Sequence, residues 1–190
     1  MMVQFADLKA EAGGCLLLFR MGDFYELFFD DAKVAAACLD IALTHRGEHA
    51  GERVPMCGVP VHAVEAYLAR LIRAGHRVAI AEQVESPAEA KKRGGKSLVR
   101  RAIVRVVTAG TLTEEALLDA RAANWVAALC PTAAGIGLAW ADVSTGRFHV
   151  ATVAADEVSA HRARLAAAGT VAPDGWEGAA GEVIARPVAR

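Results

Sequence analysis

Phe24, Tyr25 and Glu26 follow directly on Gly22-Asp23, so an aromatic ring and a carboxylate lie just past a pair of residues suited to a tight turn. On an extended chain, alternate side chains share a face. Phe24 and Glu26 would therefore point together with Phe28 behind them, and Tyr25, Leu27 and Phe29 would point to the other side. Two readings stay open at this level. Either Phe24 is core and Glu26 a solvated charge at a sheet edge, or ring and acid are presented together at a hairpin apex, where backbone can approach a ligand closely. A presented ring can stack, and a carboxylate beside it can accept a hydrogen bond or, once protonated, donate one.

A second constellation is basic. Lys91, Lys92, Arg93, Lys96, Arg100, Arg101 and Arg105 succeed one another with no acid from Ala90 to Thr113. Such a segment either tracks phosphates or is a solvated loop. Arg93-Gly94-Gly95-Lys96-Ser97 ends like a phosphate-cradling loop, but Ala90 stands where that motif needs glycine, and a charged stretch precedes it in place of a buried strand. Nucleophilic catalysis has no constellation: there is no Gly-x-Ser-x-Gly, and Ser86, Ser97, Ser144 and Ser159 lack an adjacent histidine. Asp142, followed by Val-Ser-Thr-Gly, resembles the first-strand Asp of RNase-H-like nucleases, whose metal ions need further carboxylates that cannot be placed beside it. A metal-dependent nuclease using Asp142 or the Asp23/Glu26 group is the enzyme alternative, and a domain with no affinity for nucleic acid is a third reading. His45, His49, Cys57 and His62 fall across a glycine-rich loop, a poor frame for zinc. The cysteines, Cys15, Cys38, Cys57 and Cys130, form no Cys-x-x-Cys pair and read as buried reduced thiols.

The elements that would position these groups follow from periodicity. Cys15 to Phe19 and Phe24 to Phe29 predict a hairpin turning at Gly22-Asp23, and Asp30-Asp31 predict the start of a helix running to about Ile41, with His45 and Arg46 complementing its C-terminal dipole. Residues 44–51 read as a polar loop, and Val54 to Pro60 as a short edge strand or loop. Val64, Tyr67, Leu68, Leu71 and Ile72 predict a helix closed near Gly75, Val78 to Val84 a strand, and Ala102 to Val107 another after a basic loop. Thr111-x-x-Glu114 predicts a capped connector helix to about Ala123. Gly135 to Asp142 and Arg147 to Val153 predict a second hairpin with Trp140, Phe148 and Val150 inward, followed by a helix over 156–168 and a tail from Gly169 without clear period.

Composition bounds these readings. The chain has 190 residues, 54% hydrophobic and 23% charged, with net charge −1, enough apolar content for one or two cores and no bulk charge that announces a polyanion. No apolar run is long enough to span a membrane, and the first residues do not read as a secretory signal, so the expectation is a soluble cytosolic protein without membrane partners.

LLLFRMGDFYELFFDDAKVAAACLDIALTHRG, VPMCGVPVHAVEAYLARLIRAGHRVAIAEQVE and VRVVTAGTLTEEALL together resemble the N-terminal mismatch-recognition domain of the MutS family of DNA mismatch repair proteins, over about residues 3–120. NWVAAL and ADVSTGRF are more loosely similar to the start of that family's non-catalytic, RNase-H-like connector domain. Val61, Ala109 and Phe19 depart from the family's usual Tyr, Pro and Tyr; these positions touch packing and loop stiffness. The resemblance implies an α/β mismatch-recognition domain at 1–110, a mixed sheet with flanking helices. A connecting segment at 111–120 and the opening part of a connector domain at 121–190 would follow. It implies mismatched or looped double-stranded DNA as partner. The residue matching Phe24 would stack in the minor groove and the residue matching Glu26 would hydrogen-bond the mispaired base. Lys96, Arg100 and Arg101, with Arg53 and His62, are candidates for the DNA backbone. It further implies no enzyme activity and no cofactor in this stretch, ATP and Mg²⁺ belonging to an ATPase part elsewhere in the family's full length. A homodimer at full length with this stretch monomeric, downstream repair factors reading the connector, and a bacterial, nucleoid-associated cytosolic location are also implied.

Overall fold

The computed structural model describes residues 1–94, 98–113, 118, 122–173 and 176, and the backbone of 183–186. The chain divides into two compact units, Met1–Val107 and Thr108–Arg190.

The first unit is a six-stranded mixed sheet with helices on its faces. Its strands are β1 (Leu16–Met21), β2 (Phe24–Phe28), β3 (Thr44–His49), β4 (Glu52–Pro60), β5 (Val78–Gln83) and β6 (Arg101–Val107), in spatial order β3-β4-β2-β1-β5-β6. Only the β1–β5 pair is parallel; the others are antiparallel. The helices are α1 (Met2–Ala12), α2 (Phe29–Leu39), α3 (Val64–Arg73) and α4 (Pro87–Lys92).

β1 and β2 lie mid-sheet and are apolar on both faces, as strands covered on both sides must be. On one face Phe5, Leu8 and Ala12 of α1 pack with Leu17, Phe19 and Phe28. The Phe5 ring meets Phe19 and Phe28 edge-on, at centroid distances of 5.7 and 5.1 Å. Periodicity does not predict a helix over 2–12, because its apolar residues do not keep to one face: Phe5, Leu8 and Ala12 are buried while Val3 is exposed.

Asp31 is the tie between these elements. Although its place in the first turn of α2 suits the helix dipole, it is buried, accepting from Lys9 Nζ of α1 at 2.8 Å and from the Leu17 backbone N–H of β1 at 3.0 Å. The N-cap is Phe28, with Phe29 at φ 56, so the period-two stretch ends at Phe28 rather than Phe29. α2 stops at Leu39, before the expected Ile41, with Asp40 in the left-handed region.

The polar stretch 44–51 is β3 with a turn, and Val54 to Pro60 belongs to a nine-residue strand flanked by β3 and β2. Pro55 and Pro60 are tolerated there because their missing N–H groups fall at irregular or terminal positions of the ladder: β3–β4 pairing shifts register between His45 and Glu48, and Pro60 ends β4. The expected basic loop is partly regular. Ser86 and Glu89 close a capping box over α4, with Ser86 Oγ accepting from the Glu89 N–H at 3.2 Å and Glu89 Oε2 from the Ser86 N–H at 2.7 Å, while Arg101 and Arg105 lie on β6.

The second unit is a five-stranded sheet of β7 (Trp125–Thr132), β8 (Gly135–Asp142), β9 (Arg147–Val153), β10 (Gly169–Pro173) and β11 (Val183–Arg186), in order β11-β10-β7-β8-β9, with α5 (Val158–Leu165). Much of the expected connector helix, including Glu114, lies outside the described residues; Thr111 instead pairs with Thr108 around a short 3-10 turn over 109–111. The tail contributes two parallel strands, which its sequence did not announce.

Phe148 and Val150 are not inward: they are 65% and 68% exposed. On the other face of β9 Val153 is buried and Ala151 half-buried against the core, while His149, itself exposed, stacks on Trp140 at 5.3 Å. Hydrophobicity alone selects the wrong face here, because two of the bulkiest apolar side chains of β9 are the exposed ones. Cys15 and Cys57 are buried as expected, but Cys38 is half-buried and Cys130 exposed.

Candidate nucleic-acid interface

Met21 and Phe24 pair across the two-residue turn Gly22-Asp23, and Gly22 has φ 61 while Asp23 stays negative, the pattern of a type II′ hairpin. The turn is held from the other side by the Val61 N–H, which donates to Asp23 O at 2.9 Å. Phe24 begins β2 at this apex and is 47% exposed, whereas Phe5, Phe19 and Phe28 are sealed in the core. Glu26, one step inward on the same face, is only 8% exposed and lies opposite Phe19 and Gly58. A Cβ at Gly58 would stand 3.6 Å from Glu26 Cγ and 3.9 Å from Phe24 Cδ1, so the bare glycine leaves the surface between ring and acid open.

The two oxygens of Glu26 are used unequally. Oε1 accepts from Arg46 Nη1 in an ion pair carried in from β3, and Oε2 is buried with no hydrogen-bond partner among the described residues. Such an oxygen is costly unless something supplies a donor. Arg46, expected to serve the end of a helix, is instead the charge partner of the site. Neither periodicity nor motif spacing shows this, because Thr44–His49 has no apolar alternation and predicts a loop.

On the opposite face of β2, Tyr25 Oη donates to Glu82, and Arg20 lies 5.5 Å from the Tyr25 ring and 3.5 Å from Glu82. Burial pushes the Tyr25 hydroxyl pKa up, reinforced by the Glu82 carboxylate. The strand carrying Phe24 is thereby pinned on the side away from it.

The basic candidates separate by environment. Arg53 is exposed on β4 opposite Glu48, and His62 is exposed in the 3-10 turn over 61–63. Arg100 is exposed and lies 3.5 Å from Glu85 Oε2, while its backbone N–H donates to Glu85 Oε1 at 2.7 Å. Burial alone would raise the Glu85 carboxyl, but the Arg100 N–H and the Arg93 and Arg100 cations bring it below its ordinary value. Lys96 lies outside the described residues.

Arg101 is half-buried and committed to the protein. Nε donates to Arg20 O at 2.6 Å, Nη1 to Gln4 Oε1 and Val99 O at 2.9 Å each, and its guanidinium sits 4.7 Å from the Phe19 ring centre. Burial lowers its pKa, opposed by the charge of Glu26. These contacts make it a staple between α1 and the sheet.

Asp142 is buried, but its own turn occupies it. Oδ1 accepts from Ser144 Oγ at 2.6 Å and from the backbone N–H of Ser144 and Thr145, and Oδ2 faces Arg147 at 3.4 Å. His45 and His49 lie on β3, Cys57 donates to Ala32 O at 3.4 Å, and His62 sits in its turn; among the described residues no three His, Cys, Asp or Glu side chains gather to hold a metal ion.

The family model described as MutS domain I matches residues 1–116. A DNA mismatch repair protein MutS from Zymomonas mobilis subsp. mobilis is 65% identical over 92% of this chain and 20% of its own length. Proteins of the same name from Erythrobacter litoralis and Ruegeria pomeroyi are 59% and 61% identical over 98% and 87% of the chain, and 22% and 19% of their own lengths.

The chain belongs to the MutS family.

It spans about a fifth of the length of these MutS relatives. The mixed sheet with flanking helices is consistent with MutS domain I, and the matched span takes in the whole Phe24–Glu26–Arg46 site. Among the described residues no helix is long and apolar enough to cross a membrane.

Proposed function

We propose that this chain recognises mispaired or looped positions in double-stranded DNA by offering the Phe24 ring to the minor groove while Glu26 hydrogen-bonds the faulty base. The observation that carries this reading is the pairing of a half-exposed ring at a rigid apex with a buried carboxylate that has one oxygen unused. A ring entering a duplex must unstack a base step, at a cost of roughly a few kcal/mol, and the accompanying kink adds elastic cost. Stacking returns about 1–3 kcal/mol. A mismatch has already weakened pairing, so the same wedge is tolerated there and resisted in sound duplex, without any sequence being read.

An anion such as phosphate cannot satisfy the orphaned carboxylate oxygen; a base N–H can. Arg53, His62, Arg100 and Lys96 are proposed to meet phosphates, which positions the protein without specifying bases. Arg101 is left out of that set because its donors already have protein partners. The nuclease alternative is not favoured, since Asp142 is held by its own turn.

In the longer protein, ATP and Mg²⁺ chemistry, dimer formation and contacts with downstream factors are proposed to lie outside the mismatch site, with the second unit as the start of a non-catalytic connector. The test is a low-salt anisotropy titration of the chain against matched and G·T-containing duplexes of one length. Tighter binding to G·T is expected, and equal affinity overturns the reading. Charge reversal at Arg53 and Arg100 should weaken both duplexes alike and flatten the salt slope.

A further inference from the structure

Resting on the reading that Glu26 meets a base, we propose that Arg46 is the positioning residue that makes this carboxylate usable inside a polyanion's groove. Its guanidinium holds Oε1, which fixes the carboxylate's rotation and leaves Oε2 as the acceptor, and it supplies the positive charge that offsets Glu26 against the phosphates on either side of the groove.

Three observations converge on this. Glu26 is more than nine-tenths buried, so its orientation is set by the protein rather than by water. Arg46 takes one oxygen and leaves the other without a partner among the described residues. The other guanidinium close enough to feel the Glu26 charge, Arg101, has its donors engaged by Arg20 O, Gln4, Val99 O and Met21 Sδ, so it cannot take over the hydrogen bond.

Arg46 also reaches the site from a different element. It rides on the β3–β4 hairpin, with its side chain 43% exposed, while Glu26 is fixed in a central strand. The pair thus joins an outer strand to the centre of the sheet where, among the described residues, a buried side-chain acceptor is left unsatisfied. A carboxylate left without this partner would face DNA with its full charge and both oxygens unaimed, so it would repel sound and faulty duplex alike and mark neither.

The experiment is a double-mutant cycle on the 190-residue chain with Arg46→Gln and Glu26→Gln, read as the ratio of affinities for G·T and matched duplex at low salt. Circular dichroism melting on every variant checks the fold. Arg46→Gln is expected to lower the ratio about fivefold when Glu26 is present and to leave it unchanged in the Glu26→Gln background. Arg46→Lys should restore part of the ratio, because it keeps the charge but not the fork that fixes the carboxylate.

Additive effects on the ratio overturn the proposal, as does a uniform loss on both duplexes in both backgrounds, which would make Arg46 a plain phosphate contact. A lowered melting temperature with an unchanged ratio overturns it too. If Glu26→Gln and Phe24→Ala both leave the ratio intact, the base-reading function itself has failed; if Phe24→Ala abolishes it while Arg46 and Glu26 act independently, only the role of Arg46 falls.

Discussion

The two units each bury a carboxylate close to a hairpin turn and set an arginine against it, yet the two acids are in different situations. Asp142 has three donors on one oxygen and Arg147 facing the other. Glu26 has Arg46 on one oxygen and nothing on the other among the described residues. Each turn also has an exposed phenylalanine nearby, but Phe148 lies with Val150 on the outer face of an edge strand, whereas Phe24 stands at an apex beside its acid. Burial of charge therefore does not mark a site by itself. The proposed site rests instead on an acceptor that the fold orients and leaves unsatisfied among the described residues.

The sharpest way to break this contrast uses a third buried acid. Asp31 sits in the same unit as Glu26 but has both oxygens occupied, by Lys9 and by the Leu17 N–H. Asp31→Ala should cost about 2 kcal/mol or more in urea unfolding, because a buried N–H and an ammonium lose their acceptor. It should leave the G·T preference unchanged. Phe24→Ala is the converse: at least a tenfold loss of preference, or about 1.4 kcal/mol, with little change in melting temperature because the ring is already half in water. Equal losses of preference in the two variants would erase the distinction between structural and ligand-facing groups.

A smaller effect is expected from Asp142→Asn. The Ser144 hydroxyl, with the N–H groups of Ser144 and Thr145, holds the Asp142 carboxyl below its ordinary value. A depressed folded-state pKa gives stability that is present above the unfolded value, about 3.9, and lost as pH falls through the folded value. The variant should melt a few degrees lower at pH 7 and converge with the parent near pH 2. All three tryptophans, Trp125, Trp140 and Trp176, lie in the second unit, so tryptophan fluorescence reads this transition without interference from the first. A gap that stays constant down to pH 2 would show that Asp142 is not held by charge.

The sequence was legible where one residue's neighbours decide its conformation. Gly22-Asp23 specified a turn, a continuous apolar run β1, a period-two stretch β2, and the runs 135–142 and 147–153 the β8–β9 hairpin. It was opaque where the deciding partner is distant. Thr44 to His49 is polar throughout and becomes a strand only because β4 pairs with it, so Arg46 could not be placed beside Glu26. Arg101 looked like one more cation in a basic run, and only the arrival of Gln4 and Phe19 from elsewhere in the chain shows its use. On β9, Phe148 and Val150 lie outward while Ala151 and Val153 pack on the core, a choice of face that hydrophobicity cannot rank. Phe24 and Glu26 were legible as neighbours on one face, but not the burial of the second or its unmatched oxygen.

The smallest effect belongs to Gly58, and it tests whether the open surface between ring and acid is itself part of the contrast. Its backbone is not in the left-handed region, and a Cβ there would meet Tyr25 O at 3.4 Å and Glu26 Cγ at 3.6 Å, ordinary contact distances. Gly58→Ala should therefore fold with unchanged or slightly raised stability, within about 1 kcal/mol, since alanine has less chain entropy to lose in a strand. On the proposed reading, the added methyl stands where a base comes close to both Phe24 and Glu26. Binding to the G·T duplex should weaken two- to fivefold, while the matched duplex, held through phosphates, changes less. If the alanine variant bound both duplexes like the parent, the base would have to approach from somewhere other than the surface that Gly58 leaves bare.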